Sequence, residues 1–204
     1  MERPEGMDAD LCVQDCTRCE ELVASRSRIV DGVGPTDADL LFVGEAPGQR
    51  EDEGGEPFVG RSGTVLDDAL RDCGLARSDV RITNCVHCRP PENRDPTADE
   101  RANCRGYLEA EIAAVDPEVL VTLGKVPGEH LLERSLAVTK EAGDVVEHRI
   151  AGQPRRVLIS VHPAATLYDR SQADTFEDAI AAAAELAGVS GGENGSGQSR
   201  LGEF

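Results

Sequence analysis

Two cysteine pairs at C-x-x-C spacing stand out: Cys16 and Cys19 in "CTRC", and Cys85 and Cys88 in "TNCVHCRPP" (83–91). Thiolates so spaced ligate zinc, hold iron–sulfur clusters or cycle as a redox couple. With Cys104 as a further candidate, two four-thiol sets are open. Cys16, Cys19, Cys85 and Cys88 would make a paired-knuckle zinc site. Cys16, Cys19, Cys88 and Cys104 would make a wider set, suited to an iron–sulfur cluster. Strand alternation favours the second, because it turns Cys85 away from Asn84 and into a core. Against both stands the plain reading that every thiol, like the outlying Cys12 and Cys73, is a small buried hydrophobe.

Other residues invite chemistry by their setting. Glu45 follows a short apolar run and opens a Gly/Pro loop, "GEAPGQREDEGGEPFVG". Phe58 sits within that loop in a chain of only 3% aromatic residues. Its plain role would be to anchor the loop to the core. Asn84 ends an alternating segment, where asparagine commonly forms a turn. His162 opens "HPAATLYDRS", and a histidine there could simply cap a turn. His87, His130 and His148 have no comparable setting and read as surface or packing residues. The acidic run 50–56 reads as a solvated loop.

The elements that must position these residues follow from periodicity. Leu40–Val43, "VRITNCV", "EVLVTLG", "GDVVEHRI" and "RRVLISVHP" read as strands, and "EVLVTLG" as one covered on both faces. "RSGTVLDDALRDCG" places Val65, Leu66, Ala69, Leu70 and Cys73 at helical spacing, with Gly74 as a stop. A second helix follows Pro96 with Thr97 as its cap, a short one lies in "VPGEHLLERSL", and a last one opens at Ser171 or Asp174. Strands alternating with helices predict a three-layer α/β/α fold around a mostly parallel central sheet of about four strands. Ligands of such sheets bind beyond the carboxyl ends of the strands. The loops carrying Glu45, Asn84 and His162 all occupy such positions. The prediction is one domain over 1–187, with an N-terminal arm carrying "CTRC" and a disordered Gly/Ser-rich tail over 188–204.

Composition narrows the setting. The chain of 204 residues has a formal charge of −18, and lysine occurs only at Lys125 and Lys140. Such acidity suits concentrated salt, since the Debye length falls to about 3 Å at 1 M and crowded carboxylates cease to repel. A halophilic cytoplasm is the expectation. No apolar run is long enough to span a membrane, and the first residues carry no signal-peptide pattern. Thiols in that compartment are ligands or buried side chains rather than disulfides. Global acidity leaves room for a local DNA-binding groove that relies on pockets and stacking, because counterion release is weak in high salt.

"GEAPGQREDEGGEPFVGRSG", "TNCVHCRPPENRDP" and "VHPAATL", in that order, resemble the family-four uracil-DNA glycosylases of archaea and thermophilic bacteria. The likeness runs from Cys16 to the helix ending near Ala187, and the halophilic composition adds a haloarchaeal source to the expectation. It implies an enzyme of base-excision repair, a monofunctional hydrolase that flips deoxyuridine out of single- or double-stranded DNA and releases uracil. It also implies a [4Fe–4S] cluster of structural role, on Cys16, Cys19, Cys88 and Cys104. Cys85 falls where the family has an apolar residue. The competing reading is a non-catalytic iron–sulfur or zinc protein that binds nucleic acid or senses redox state. A third is a hydrolase of free nucleotides on the same frame.

The resemblance further assigns roles within the pocket. Phe58 would stack on the base, and Asn84 would pair with uracil N3–H and O4, an edge that cytosine reverses. His162 would donate to uracil O2 as negative charge gathers on the departing base. Glu45, Ala46 and Pro47 would line the same pocket, although Pro47 has no N–H to give. Family-one enzymes carry an aspartate where this chain has Ala46, so leaving-group stabilisation should dominate, with Glu45 and His162 as the catalytic pair. Leu167 or Tyr168 would wedge into the gap left by the flipped nucleotide. Arg89, Arg94 and Arg170 would contact phosphates. A monomer is expected, and nothing in the sequence identifies a sliding-clamp contact.

Overall fold

The computed structural model describes residues 4–189. From residue 190 onward, the predicted disordered tail lies outside the described residues. Five strands form one sheet: β1 (Leu40–Gly44), β2 (Arg81–Asn84), β3 (Val119–Leu123), β4 (Val145–Ile150) and β5 (Gln153–Ser160). Their order is β2-β1-β3-β5-β4. β1 pairs in parallel with β2 and β3, and β3 with β5, whereas β4 runs antiparallel to β5. The sheet thus has one strand more than the expected four or so. All five segments read as strands take part, and β4 is the hairpin edge, whose residues alternate between exposed and half-buried until Ile150. It lacks the continuous apolar run that marks the covered strands. Its turn to β5 uses left-handed Ala151 (φ 52°) and Gly152 (φ 80°), the geometry of a tight hairpin.

Among the described residues eight α-helices surround the sheet: α1 (Glu20–Ser25), α2 (Gln49–Gly54), α3 (Arg61–Asp72), α4 (Ala98–Val115), α5 (Lys125–Leu132), α6 (Val138–Glu141), α7 (Pro163–Thr166) and α8 (Ser171–Leu186). Alternation along β1 splits the core into two layers. Leu40 and Phe42 pack with Leu66 and Leu70 of α3 and Phe176 and Ile180 of α8. Leu41 and Val43 pack with Leu22 of α1, Leu108 and Ile112 of α4 and Leu131 of α5. β1 and β2 therefore send their chains to opposite faces, which opens a crevice at their carboxyl ends.

Local signals set the ends of the two long crossover helices. Gly74 (φ 76°) stops α3, and the amide of Leu75 returns to the carbonyl of Leu70 at 2.9 Å. Thr97 caps α4: its Oγ1 accepts from the Glu100 amide at 3.2 Å, and Glu100 Oε2 accepts from the Thr97 amide at 2.7 Å. β2 is fixed to α4 by a buried cluster in which Glu111 accepts from Arg81 Nε at 2.7 Å and Thr83 Oγ1 at 2.8 Å. The strand that ends in Asn84 is therefore held in register by polar bonds as well as by packing. Among the described residues no helix is long and apolar enough to cross a membrane.

Candidate active site

A cavity of about 260 Å³ opens at the carboxyl ends of β1, β2 and β5. It is lined by Glu45, Ala46, Pro47, Phe58, Asn84 and His162, which come from all three predicted loops. Pro90, Asn93, Arg94 and Asp95 close one wall, and Gly48, Glu51 and Ser62 another.

The floor depends on a missing side chain. A Cβ on Gly44 would lie 2.3 Å from Asn84 Oδ1 and 2.5 Å from the Phe58 ring. Only glycine at the end of β1 lets the ring and the carboxamide meet there. Phe58 itself adopts φ 56°, a left-handed conformation that costs a bulky residue about 1–3 kcal/mol. Its ring is 6% exposed and stands 5.9 Å from the His162 ring, tilted by 31°. Asn84 is 3% exposed, and among the described residues no protein group bonds its carboxamide. The carboxamide faces the cavity, and a base that covered it without a matching edge would cost about 1–3 kcal/mol.

His162 is oriented by the start of α7. The Ala164 amide donates to His162 Nδ1 at 3.1 Å, so the neutral ring carries its proton on Nε2. Burial pushes its pKa down to about 4, which keeps the ring neutral near pH 7. A neutral Nε2–H is a donor that develops charge on its partner without bringing a charge of its own. Glu45 moves in the other direction: burial first, then the nearby Asp95 carboxylate, raises its pKa to about 7. Asp95 faces Glu45 closely enough to raise it, and Arg101 opposes the rise. A contact between two carboxyls needs one shared proton.

Asp95, Asn93, Ser62 and Glu51 were not singled out by sequence. An aspartate between arginine and proline reads as a turn former, and its encounter with Glu45 is a contact through space. Glu51 lies on α2, where the acidic run folds into a helix rather than the expected solvated loop. Asp52 of that helix is 1% exposed and accepts from the amides of Ser27 (2.8 and 2.9 Å) and Arg28 (3.4 Å). α2 is thereby tied to the chain that follows α1. His87, expected at the surface or in packing, is 1% exposed, with Nδ1 3.3 Å from Asp31.

The expected DNA-contacting residues separate into two groups. Leu167 and Arg170 are exposed, as is Tyr168 at 85%, and they follow α7 at the rim beyond His162. Arg89 donates to Asn93 Oδ1 at 2.7 Å. Arg94 is committed inward, with bonds to Glu100 at 2.7 and 2.8 Å and to Glu21 at 2.9 Å. It braces the loop before α4.

A second, smaller cavity lies behind this loop, lined by Cys16, Cys19, Cys88 and Cys104. Cys85 is not among them; it is fully buried in the core on the α4 side of the sheet. Two of the four sulfurs meet a side-chain donor. Arg26 Nη1 reaches Cys88 Sγ at 2.8 Å, and Asn103 Nδ2 reaches Cys19 Sγ at 3.5 Å. The Tyr107 hydroxyl donates to the Glu5 carbonyl at 3.2 Å. Among the described residues no three His, Cys, Asp or Glu groups converge closely enough to hold a single metal ion. A tetrahedral zinc with bonds of about 2.3 Å would need thiolates about 3.8 Å apart. Four thiols lining one cavity, two of them with a side-chain donor, have the ligand set of a polynuclear iron–sulfur cluster.

The comparisons agree with this geometry. A family profile described as Uracil DNA glycosylase superfamily matches residues 32–186. The type-4 uracil-DNA glycosylase of Archaeoglobus fulgidus is 38% identical over 86% of this chain and 90% of its own length. That of Thermotoga maritima is 40% identical over 78% of this chain and 81% of its own. A type-5 uracil-DNA glycosylase of Pyrobaculum aerophilum is 33% identical over 73% of this chain and 78% of its own. With three strand-end loops closing on one cavity and this likeness running through most of its length, the chain belongs to the uracil DNA glycosylase superfamily, on its type-4 branch.

Proposed function

We infer that the cavity receives a flipped-out uracil and that the residues around it divide the work of breaking the N-glycosidic bond. The protein is a DNA-repair uracil-DNA glycosylase. What supports it most directly is the meeting of a phenyl ring, an unpartnered carboxamide and a neutral imidazole around one space. Together they offer a stacking face, a donor–acceptor edge and a donor aimed at the site of developing charge.

A base inside the duplex is out of reach, so the nucleotide must leave the stack at a cost of a few kcal/mol. Stacking on Phe58 returns about 1–3 kcal/mol. Asn84 accepts from N3–H and donates to O4, which satisfies its carboxamide and rejects cytosine. As the bond to the sugar lengthens, electrons move onto the base, and His162 Nε2–H stabilises the anion at O2. Glu45, about half protonated near pH 7 and mostly protonated below it, in that form adds no negative charge next to the anion. In its ionised form it can take a proton from the attacking water, with Asp95 holding the carboxyl in place. Leu167 and Tyr168 fill the vacated stack, while Arg89 and Arg170 meet phosphates.

Cys16, Cys19, Cys88 and Cys104 hold a [4Fe–4S] cluster in this reading, and it supplies structure, tying the N-terminal arm to both ends of the cavity loop. The enzyme acts on single- and double-stranded DNA as a monomer. Its acidity suits a salt-rich cytoplasm of haloarchaeal type.

The test is an oligonucleotide with one uracil, incubated with enzyme and then treated with hot alkali. Strand breaks at uracil alone are expected from wild type, with a large loss for His162→Ala. A brown, folded wild-type protein that produced no breaks in either strand form would favour the non-catalytic iron–sulfur alternative.

A further inference from the structure

Phe58 does not reach the cavity by packing alone. Its left-handed backbone (φ 56°) has to be held, and the holding group lies outside the cavity. Arg77 stands in the short 3₁₀ turn Arg77–Asp79, just before β2. Its Nη1 donates to the Phe58 carbonyl at 3.2 Å, and its Nη2 donates to the Pro57 carbonyl. Nη1 also meets Asp67 Oδ1 of α3 at 3.1 Å, which sets the guanidinium plane.

These two carbonyls belong to the peptide planes on either side of the Phe58 Cα. The relative tilt of those planes is what φ and ψ of Phe58 describe. One rigid, planar donor that grips both therefore fixes the torsions of the residue between them, and hence where its ring points. The opposite side of the same carbonyl is closed by α3: a Cβ on Gly63 would fall 1.6 Å from the Phe58 oxygen. Helix, guanidinium and peptide thus form one clamp.

We propose that Arg77 is a positioning residue for base recognition, holding Phe58 in its strained conformation so that the ring is presented to the uracil before the base arrives. This rests on the reading that Phe58 stacks on uracil. Lysine cannot replace it fully, because a single ammonium does not bind two carbonyls and a carboxylate in one plane.

The experiment measures KM and kcat on a uracil-containing single strand, together with inhibition by free uracil, for Arg77→Met, Arg77→Lys and Asp67→Asn. Each is made in wild type and in a Phe58→Ala background, with melting temperature recorded in parallel. Arg77→Met should weaken uracil inhibition and raise KM by about tenfold, the scale of one lost stacking contact, with a smaller change in kcat. Arg77→Lys should recover part of the loss, and Asp67→Asn should show a milder version of it. In the Phe58→Ala background all three should have no further effect on uracil binding. Equal losses with and without the Phe58 ring would overturn the proposal, and so would a lower melting temperature with unaltered uracil inhibition. If Arg77→Met does not fold, Asp67→Asn and Arg77→Lys carry the same cycle. Full uracil affinity in Phe58→Ala alone would instead sink the stacking reading beneath it.

Discussion

The cavity and the four-thiol corner lie side by side and are built on opposite terms. In the cavity, among the described residues, the Asn84 carboxamide has no protein partner and His162 has only its Nδ1 engaged. In the thiol corner Cys88 and Cys19 accept from Arg26 and Asn103, and Arg26 further ties Cys88 to the Cys16 carbonyl at 2.7 Å. One region stores unsatisfied bonding capacity for a substrate, and the other spends its capacity internally. The two share chain, for Asn84 and Cys88 lie in the same short segment. Its amides at Cys85 and Val86 bond the carbonyls of Gly44 (2.9 Å) and Glu45 (3.1 Å). Function and architecture are thus adjacent in sequence but separable by chemistry, and mutation should separate them.

The largest effect is expected in the thiol corner. Structural metal–thiolate sites contribute on the order of 10 kcal/mol to folding, so if the four thiols hold the proposed cluster, Cys88→Ser should bleach its brown colour and sharply lower the melting temperature. Retention of both would break the contrast at once. On the cavity side, His162→Ala should cut the single-turnover rate by about 10²–10³-fold, the usual cost of losing a donor to a developing anion. Its melting temperature should stay near that of wild type, and a purely thermal effect would return His162 to a capping role.

Gly44→Ala should come next, since its methyl group competes with the Asn84 oxygen and the Phe58 ring. A loss of about tenfold in uracil affinity is expected, comparable to one stacked base. Unchanged inhibition by free uracil would show that the floor yields.

The smallest effect concerns pH. Glu45 loses its proton near 7 in the folded protein, and Asp95 is part of the reason. If the Glu45 carboxylate takes the proton from water, the rate should rise with pH through about 7. Asp95→Asn removes the opposing charge and should move that midpoint downward, whereas a midpoint that stays put would detach Asp95 from the chemistry. Stability carries the opposite sign at the two groups. The raised Glu45 favours the fold below about 4.5, a contribution lost as pH climbs through about 7. The lowered His162 contributes fully above 6.5 and loses that as pH falls through about 4.

How much of this was legible in the sequence differs between the same two regions. Periodicity placed β1, β2 and β5, and with them the loops that carry Glu45, Asn84 and His162, through short apolar runs in β1 and β5 and alternation in β2. The motifs then gave Phe58 and the Cys88/Cys104 choice through resemblance. Edge strand β4 was harder to count into the sheet, since it alternates and pairs on one side only. Asp95 and the inward turn of Arg94 were out of reach. Each depends on a partner brought close by the fold, Glu45 for one and Glu100 and Glu21 for the other. The acidic run around Asp52 misled for the same reason: its buried carboxylate serves two amides of a distant segment, and nothing local marks that.

The stretch from Cys88 to Cys104 has a topological consequence. It supplies Pro90, Asn93, Arg94 and Asp95 to the cavity, and both of its ends arrive at the same four sulfurs. With an inorganic core joining those sulfurs, this length of polypeptide becomes a ring, and ring closure removes conformations that an open strand would explore when unfolded. A chain with few large aromatic side chains to weigh down its loops can thereby keep a reading surface stiff through connectivity.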